Sequence, residues 1–512
     1  MADPLLIDAG VSNSRLRQLL GPATILLHPL YGLGLLLLAC LPLLPFASQP
    51  LGVLLAAFST YLLLMAVRLE QPWLALTPLP PLTILCLGAW LRCGLGGLLL
   101  ALGRPMALND WNSGFWRHLP EAQTLWVIFM TAAVLVFACW PKPGLPGDVS
   151  SQGAGRQPLL SLSMACGLFA ITSVGLGVLF GTLDRNPSSY LYWVAQRWRP
   201  DSLFTMLARF RDVFFLLAPL AISKAQRNWQ RLVLLGFLLG YPALALPMGG
   251  RGLLLYPILY AVIGILLTPI SIRALRLIIG ATLIFGLIAI PSIETYRGMA
   301  HFQAASRTDL LARLNLLTSA SQQLISRVDL TMALRQTGIS LYGCSDGYLF
   351  QEPASSQPRA GWHRMQSLLT AWLPELVAPK TVPVRDAHII AEEARGSSRQ
   401  QAESMTYTSF YCISLGGDLY WRGGWPIVVL GSGLAAIAYR LVSSLWYRHA
   451  GWSSTWQILL LLYPATFLTM YPAGSIGETA WLWMWDLPKY VALIGMICFI
   501  AGKLSRKPAP TP

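Results

Sequence analysis

Charge is what this 512-residue sequence has least of: 12% of its residues are Asp, Glu, Lys or Arg, about half of the roughly 25% usual in a soluble globular chain. With 55% hydrophobic residues beside so little charge, the sequence excludes both an ordinary soluble enzyme and an intrinsically disordered chain. Acidic residues are the scarcer sign, 22 against 37 basic, for a formal net charge of +15. The basic residues are not gathered on one soluble face, so nucleic acid is not the expected partner; most stand at the ends of apolar runs. No Cys-x-x-Cys occurs, and six of the eight cysteines lie in apolar runs, so neither a zinc site nor any other metal or cofactor is expected. No small-residue cleavage pattern follows the first apolar stretch, which is expected to act as its own insertion signal.

What the chain does have is apolar runs of about 17–25 residues, each long enough to cross a bilayer. They place spans near 22–46, 50–67, 75–102, 123–140, 158–183, 203–223, 230–248, 252–270, 274–293, 425–442, 454–472 and 486–503. The expected fold is therefore an all-α polytopic membrane protein of about twelve transmembrane helices. An even number puts both termini on one side. Loops on that side hold fifteen basic residues, from Arg15 and Arg17 to Arg506 and Lys507, and the short loops opposite hold seven. The positive-inside rule makes the termini cytoplasmic.

Three regions follow: 1–293 with nine spans, a large outer loop at 294–424, and 425–512 with three spans and a short tail. In the loop, Leu310, Leu311, Leu314, Leu317, Leu324, Val328 and Leu334 recur at helical spacing. A second short helix is expected around Trp362–Leu376. Gly343, Gly347, Pro353 and Pro358 punctuate the chain between them, and the polarity of 386–404 predicts a mobile stretch.

Some basic residues defy the inside bias. Arg251 sits in Gly249-Gly250-Arg251-Gly252, a tight outer turn, and Arg185, Arg197 and Arg199 share an outer loop with Tyr190, Tyr192, Trp193 and Trp198. Arg92 falls inside the third span, and Arg209, Arg211 and Asp212 in the outer half of the sixth. Ionisable groups at such depth face a cavity and mark a substrate path, or pair with one another, or snorkel to the headgroups. A positive outer cavity flanked by aromatics suits an anionic headgroup on a lipid, because the planar guanidinium donates two parallel hydrogen bonds to phosphate.

In order along 200–440 these features resemble the O-antigen (oligosaccharide repeat unit) polymerases of bacterial surface-polysaccharide synthesis. The resemblance is carried by an arginine-bearing span, the turn Gly250-Arg251-Gly252, then Ser326-Arg327-Val328-Asp329 in a large late loop. It continues through Trp372-Leu373-Pro374-Glu375, Ala378-Pro379-Lys380 and the closing run Gly417-Asp418-Leu419-Tyr420-Trp421-Arg422-Gly423-Gly424-Trp425. Asp418 stands where the family pattern has Glu, and Trp421-Arg422 replaces its Asn-Phe. The resemblance implies a GT-C-like, metal-independent membrane glycosyltransferase in the inner membrane. Its donor and acceptor would be undecaprenyl-pyrophosphate-linked oligosaccharides, with a chain-length regulator protein as a further partner. A sugar hydroxyl would displace lipid pyrophosphate from the anomeric carbon. Arg251, Arg211, Arg327, Arg297 and Lys380 are the candidates to hold the pyrophosphate. Asp418 is the first candidate for general base, with His388, Asp386 and Glu403 as alternatives, and an ion pair with Arg422 or a cap for the tenth span is the competing role for Asp418.

Other readings stay open. His388 and Glu392, four apart, resemble half of a metal site. Cys344 and Cys412 suit either a periplasmic disulfide or two buried thiols. A ligase would differ only in its acceptor, and a flippase would show repetition between halves. Cys412 near Arg399 and His388 is the one feature of a cysteine transpeptidase.

Overall fold

The computed structural model describes residues 49–73, 80–102, 116–140, 156–180, 203–250, 252–266, 288–293, 295–297, 309–327, 330–343, 346–362, 386–404 and 413–449, with isolated positions at 183, 280, 299, 476, 492, 495 and 496. Among these residues the structure is helical, without strands.

In chain order, α1 is Pro50–Leu69, and α2 (Pro81–Ala89) runs through a π-helical turn, Trp90–Gly96, into α3 (Gly97–Leu102). Then come α4 (Leu119–Cys139), α5 (Arg156–Leu179), α6 (Leu203–Lys224), α7 (Asn228–Ala245), which ends in a 3-10 turn at Leu246–Met248, and α8 (Gly252–Leu266). The loop contributes α9 (Leu310–Arg327), α10 (Leu330–Tyr342), a 3-10 helix at Asp346–Phe350, and the short α11 (Glu352–Ser355), α12 (Asp386–Glu393) and α13 (Arg399–Ser404). The last element is α14 (Leu415–His449).

Six helices are long and apolar enough to cross a membrane, on segments 50–69, 81–102, 119–139, 159–179, 228–248 and 415–444. The protein is therefore an all-helical membrane protein with at least these six candidate spans. The expected first span, 22–46, and the last two, 454–472 and 486–503, lie outside the described residues apart from isolated positions.

The helices pack in two groups. Helices α1–α4 share a core with α10 and α14, built on Trp126, Phe137, Tyr342, Tyr439 and Tyr447. Helices α5–α8 share a second, in which Phe210, Phe214, Phe215 and Tyr241 interdigitate, and Ile84 of α2 joins the two. Lipid tails are as apolar as leucine, so close packing and internal hydrogen bonds hold such helices together. Gln123 on α4 does both, donating to Cys93 O at 2.8 Å and Gly52 O at 3.2 Å. Cys93 O is available because the π turn routes the Gly97 N–H to Arg92 O instead.

The loop differs from its sequence reading in three places. The leucine repeat beginning at Leu310 continues past Leu334 to Tyr342 as two helices. The polar stretch 386–404 contains α12 and α13 rather than an unstructured segment, because Ile389, Ile390 and Ala402 are buried under its polar face. The closing segment before the span expected at 425–442 is also helical: α14 starts at Leu415, ten residues before the expected 425, and breaks at Gly423–Gly424. Gly424 has φ +70, a left-handed conformation that glycine adopts without a Cβ clash. A short head, 415–422, thus precedes the span proper. The break orphans the last carbonyls of the head, and the loop caps them: Ala360 N–H donates to Trp421 O at 3.1 Å and Gly361 N–H to Arg422 O at 2.9 Å. The expected helix at Trp362–Leu376 lies outside the described residues after Trp362.

Candidate functional site

The loop meets the helices at one end of the bundle, and its buried charges lie there. Three carboxylates, Asp346, Glu393 and Asp418, each have no solvent exposure. Burying a charge is costly unless it is paired or hydrogen-bonded, so the partners of each define the site.

Asp418 lies on the head of α14. Arg422, one turn later, donates from Nε to its two oxygens at 3.1 and 3.2 Å. The Ile476 N–H donates to Oδ2 at 2.8 Å. Arg422 also reaches Gly361 O at 3.2 Å. Of the roles the sequence left open for Asp418, the ion pair with Arg422 is present.

Glu393, at the end of α12, accepts from Arg399 Nε at 2.6 Å and from Trp421 Nε1 at 2.8 Å. Two guanidinium groups lie over Trp421: Arg399 is 5.1 Å and Arg422 is 5.4 Å from its ring. Arg359 stacks 4.3 Å over Tyr420, and Tyr420, Phe350 and Trp425 form an aromatic group with centroids 4.5–5.9 Å apart. Trp362, three residues after Arg359, is 83% exposed.

Asp346 is deepest. Its Oδ1 accepts the Ser414 N–H at 2.7 Å, and Ser414 in turn accepts the Gly417 N–H at 2.9 Å as the cap of α14. The carboxyl thus sits at the positive end of a helix. Gly417 permits that approach: a Cβ there would stand 2.4 Å from Asp346 Oδ1. Burial pushes the carboxyl up to about 6, against the pull of Ser414, the Trp126 indole and the charge of Arg92. Arg92 comes from the π turn of the third span, donating to Tyr342 O at 3.2 Å and lying 5.8 Å from the Trp126 ring.

The pyrophosphate candidates are dispersed. Arg211 on α6 donates to Asp212 at 2.6 Å and to Tyr241 OH at 3.3 Å, on the α5–α8 side. Arg297 is half-buried after Tyr296, whose hydroxyl donates to Pro247 O at 2.8 Å. Arg313 of α9, also fully buried, donates to the same carbonyl at 3.4 Å, so two loop residues hold the 3-10 turn that leads into Gly249-Gly250-Arg251. Arg251 and Lys380 themselves, Cys344 and Cys412, and the side chains of Arg327, Asp386, His388 and Glu403 lie outside the described residues. No group of three or more His, Cys, Asp or Glu comes together among the described residues.

Sequence reasoning passed over Asp346, Glu393 and Arg359, and named Arg399 only beside Cys412. Asp346 lay in Ser345-Asp346-Gly347, which reads as loop punctuation; the one available signal was a carboxylate next to a glycine in an aromatic setting, Tyr342 to Phe350.

The fold and this end of the bundle define a helical membrane protein with a buried arginine, carboxylate and aromatic cluster where a loop domain meets the spans. Comparison of the chain with protein-family models, with curated proteins and with solved structures finds no match.

Proposed function

We propose that the protein is a membrane glycosyltransferase that polymerises lipid-pyrophosphate-linked oligosaccharide repeat units at the periplasmic face of a bacterial inner membrane. The observation that carries this reading is the convergence of Arg92, Arg359, Arg399 and Arg422 with Trp126, Tyr420 and Trp421 at the loop end of the spans. Guanidinium groups beside aromatic faces suit a substrate that joins a phosphate to a sugar, and a membrane-embedded location suits its lipid tail. The order of motifs around Arg251 and Asp418 supports the same class of reaction.

In this reading the arginines stabilise the pyrophosphate as it leaves, without a metal, and Arg251 in its glycine turn is the first of them. The loop grips that turn through Arg313 and Tyr296, which both donate to Pro247 O. The donor and acceptor arrive through the bilayer, and a chain-length regulator would act on the same loop.

The test is surface-glycan length in cells carrying Arg251→Ala at normal protein level. Glycan halted at one repeat unit supports polymerisation. Normal long chains remove Arg251 from the site. Loss of all surface glycan, with lipid-linked units trapped inside the cell, would instead assign the protein to transport.

A further inference from the structure

We infer that Asp346, together with Trp126, forms a binding site for one hydroxyl group and is the proton acceptor of the transfer reaction. The inference rests on the glycosyltransferase reading above and replaces Asp418 as the base within it.

Asp346 has no solvent exposure, and its Oδ1 is taken by Ser414 N–H, but its Oδ2 completes no hydrogen bond. The Trp126 indole Nε1, on the facing helix α4, is equally buried; it lies near enough to the Asp346 carboxyl to draw it down but completes no hydrogen bond. A buried acceptor and a buried donor left open side by side are costly, and native interiors rarely keep them. One hydroxyl meets both needs at once, donating its proton to Oδ2 and accepting from Nε1. Glycine backbone packs closely against the Asp346 carboxyl and against the Arg92 guanidinium beside it. A Cβ at Gly417 would meet Asp346 Oδ1 at 2.4 Å, and one at Gly343, where φ is +69, would meet Arg92 Nη1 at 2.7 Å.

Asp418 and Asp346 contrast in what remains free. Asp418 is bonded by Arg422 through both oxygens and by Ile476 N–H. Asp346 keeps one lone-pair face open, with Arg92 as the charged group close enough to act on it. A base needs that open face and a pKa near the working pH.

The step balances as a displacement. Asp346 takes the proton from the attacking hydroxyl as that oxygen bonds to the anomeric carbon. The bond from that carbon to the pyrophosphate oxygen breaks, and its electron pair leaves with the lipid pyrophosphate. The proton on Asp346 returns to water. The hydroxyl belongs to the incoming sugar or to water, and the product tells which: a longer lipid-linked glycan in the first case, free glycan in the second.

The experiment uses the full chain in lipid vesicles with lipid-linked oligosaccharide extracted from the host strain. Asp346→Asn keeps an acceptor for Ser414 N–H but not the base, and should slow formation of either product by ~100-fold or more. The wild-type rate should rise with pH through about 6, and the residual rate of Asp346→Asn should lack that limb. Trp126→Phe, which loses the indole donor that helps hold the Asp346 carboxyl down, should slow the reaction about tenfold and keep the limb but move it to higher pH. Rates within about threefold of wild type for Asp346→Asn, with the limb intact, would leave Asp346 as a helix cap and overturn the inference.

A second readout does not depend on transfer. The protonated Asp346 carboxyl should give an infrared C=O band, absent in Asp346→Asn, that shifts when the lipid-linked oligosaccharide is added. A shift without any product from wild type keeps the hydroxyl site and rejects the glycosyltransferase reading. No shift alongside active wild type rejects the site.

Discussion

Two buried carboxylates, one at each end of the bundle, face different demands. Away from the loop, Glu70 ends α1 with both oxygens occupied. Thr83 N–H at the start of α2 donates to Oε2 at 2.6 Å, and the Tyr447 hydroxyl donates to Oε1. Around it Tyr439 donates to Pro81 O at 2.8 Å, Trp73 packs 4.8 Å from Tyr447, and Arg440 lies 5.0 Å from Tyr447, 5.3 Å from Phe137 and 5.9 Å from Trp140. This network staples the α1–α2 turn to the foot of α14. At the loop end, Asp346 has one oxygen occupied and one open. The first arrangement is closed and serves packing; the second keeps capacity in reserve, which is what a site that meets a ligand requires.

The largest effect separating the two ends should come from Glu70→Ala. It strips the acceptor from Thr83 N–H and the Tyr447 hydroxyl and removes a negative charge that acts on Arg440, a loss of about 3–5 kcal/mol by analogy with broken buried pairs. The expected result is a lower melting temperature in lipid vesicles and reduced protein in cells. Whatever protein folds should retain the loop-end chemistry, including the rise in rate through about pH 6 that Asp346 predicts. Loss of that limb in Glu70→Ala would show the ends to be coupled rather than separate.

Next in size is the pH dependence of stability. Folding raises Asp346 from 3.8 to about 6, so between those values the folded chain binds more protons than the unfolded one. Stability therefore falls as pH rises from about 4 to about 6 and stays level above, a cost of about 3 kcal/mol at neutral pH. Asp346→Asn removes the slope, so its melting temperature should equal or exceed wild type at pH 7 while its activity is lost. Glu70→Gln, in a closed network, should show no such exchange of activity for stability. An Asp346→Asn protein less stable than wild type at pH 7 would make the two ends alike.

The comparison also shows what the sequence could reveal. Several spans were legible because a run of apolar residues has one physical explanation at this length: α1, α4, α5 and α7 begin and end within a few residues of their expected bounds. The loop end was not legible to the same degree. Polarity suggested motion at 386–404, but Glu393 is polar and buried, stabilised by Arg399 and Trp421, which lie at different sequence distances. The head of α14 was missed because Gly416, Gly417, Gly423 and Gly424 read as loop residues. Only the fold shows that the first pair is forced by the approach of Leu125 and Asp346 and the second by the break. Arg92 and Arg251 stood out because charge is rare in such a chain, whereas Asp346 lay in a loop where charge is ordinary.

A smaller effect is expected at Trp421. Trp421→Phe deletes the hydrogen bond to Glu393 and weakens the stacking of Arg399 and Arg422, about 1–2 kcal/mol together. Because the change lies beside Asp418 rather than Asp346, the pH limb should stay at its wild-type position while the melting temperature falls.

The smallest effect tests the link between helix capping and the open carboxylate. Ser414 Oγ caps α14 by accepting Gly417 N–H, and the Ser414 backbone N–H holds Asp346 Oδ1. Ser414→Ala removes the first bond and keeps the second, so stability should fall by about 1 kcal/mol, as for other N-cap losses. The serine side chain also helps hold the Asp346 carboxyl down against burial. Without it the midpoint of the Asp346 infrared band should move to higher pH, and the limb of the rate profile should move with it. Both midpoints shifting together would identify the group seen in the spectrum with the group that limits the rate. A lower melting temperature with both midpoints fixed would confine Ser414 to capping, and would separate the helix terminus from the proton chemistry beside it.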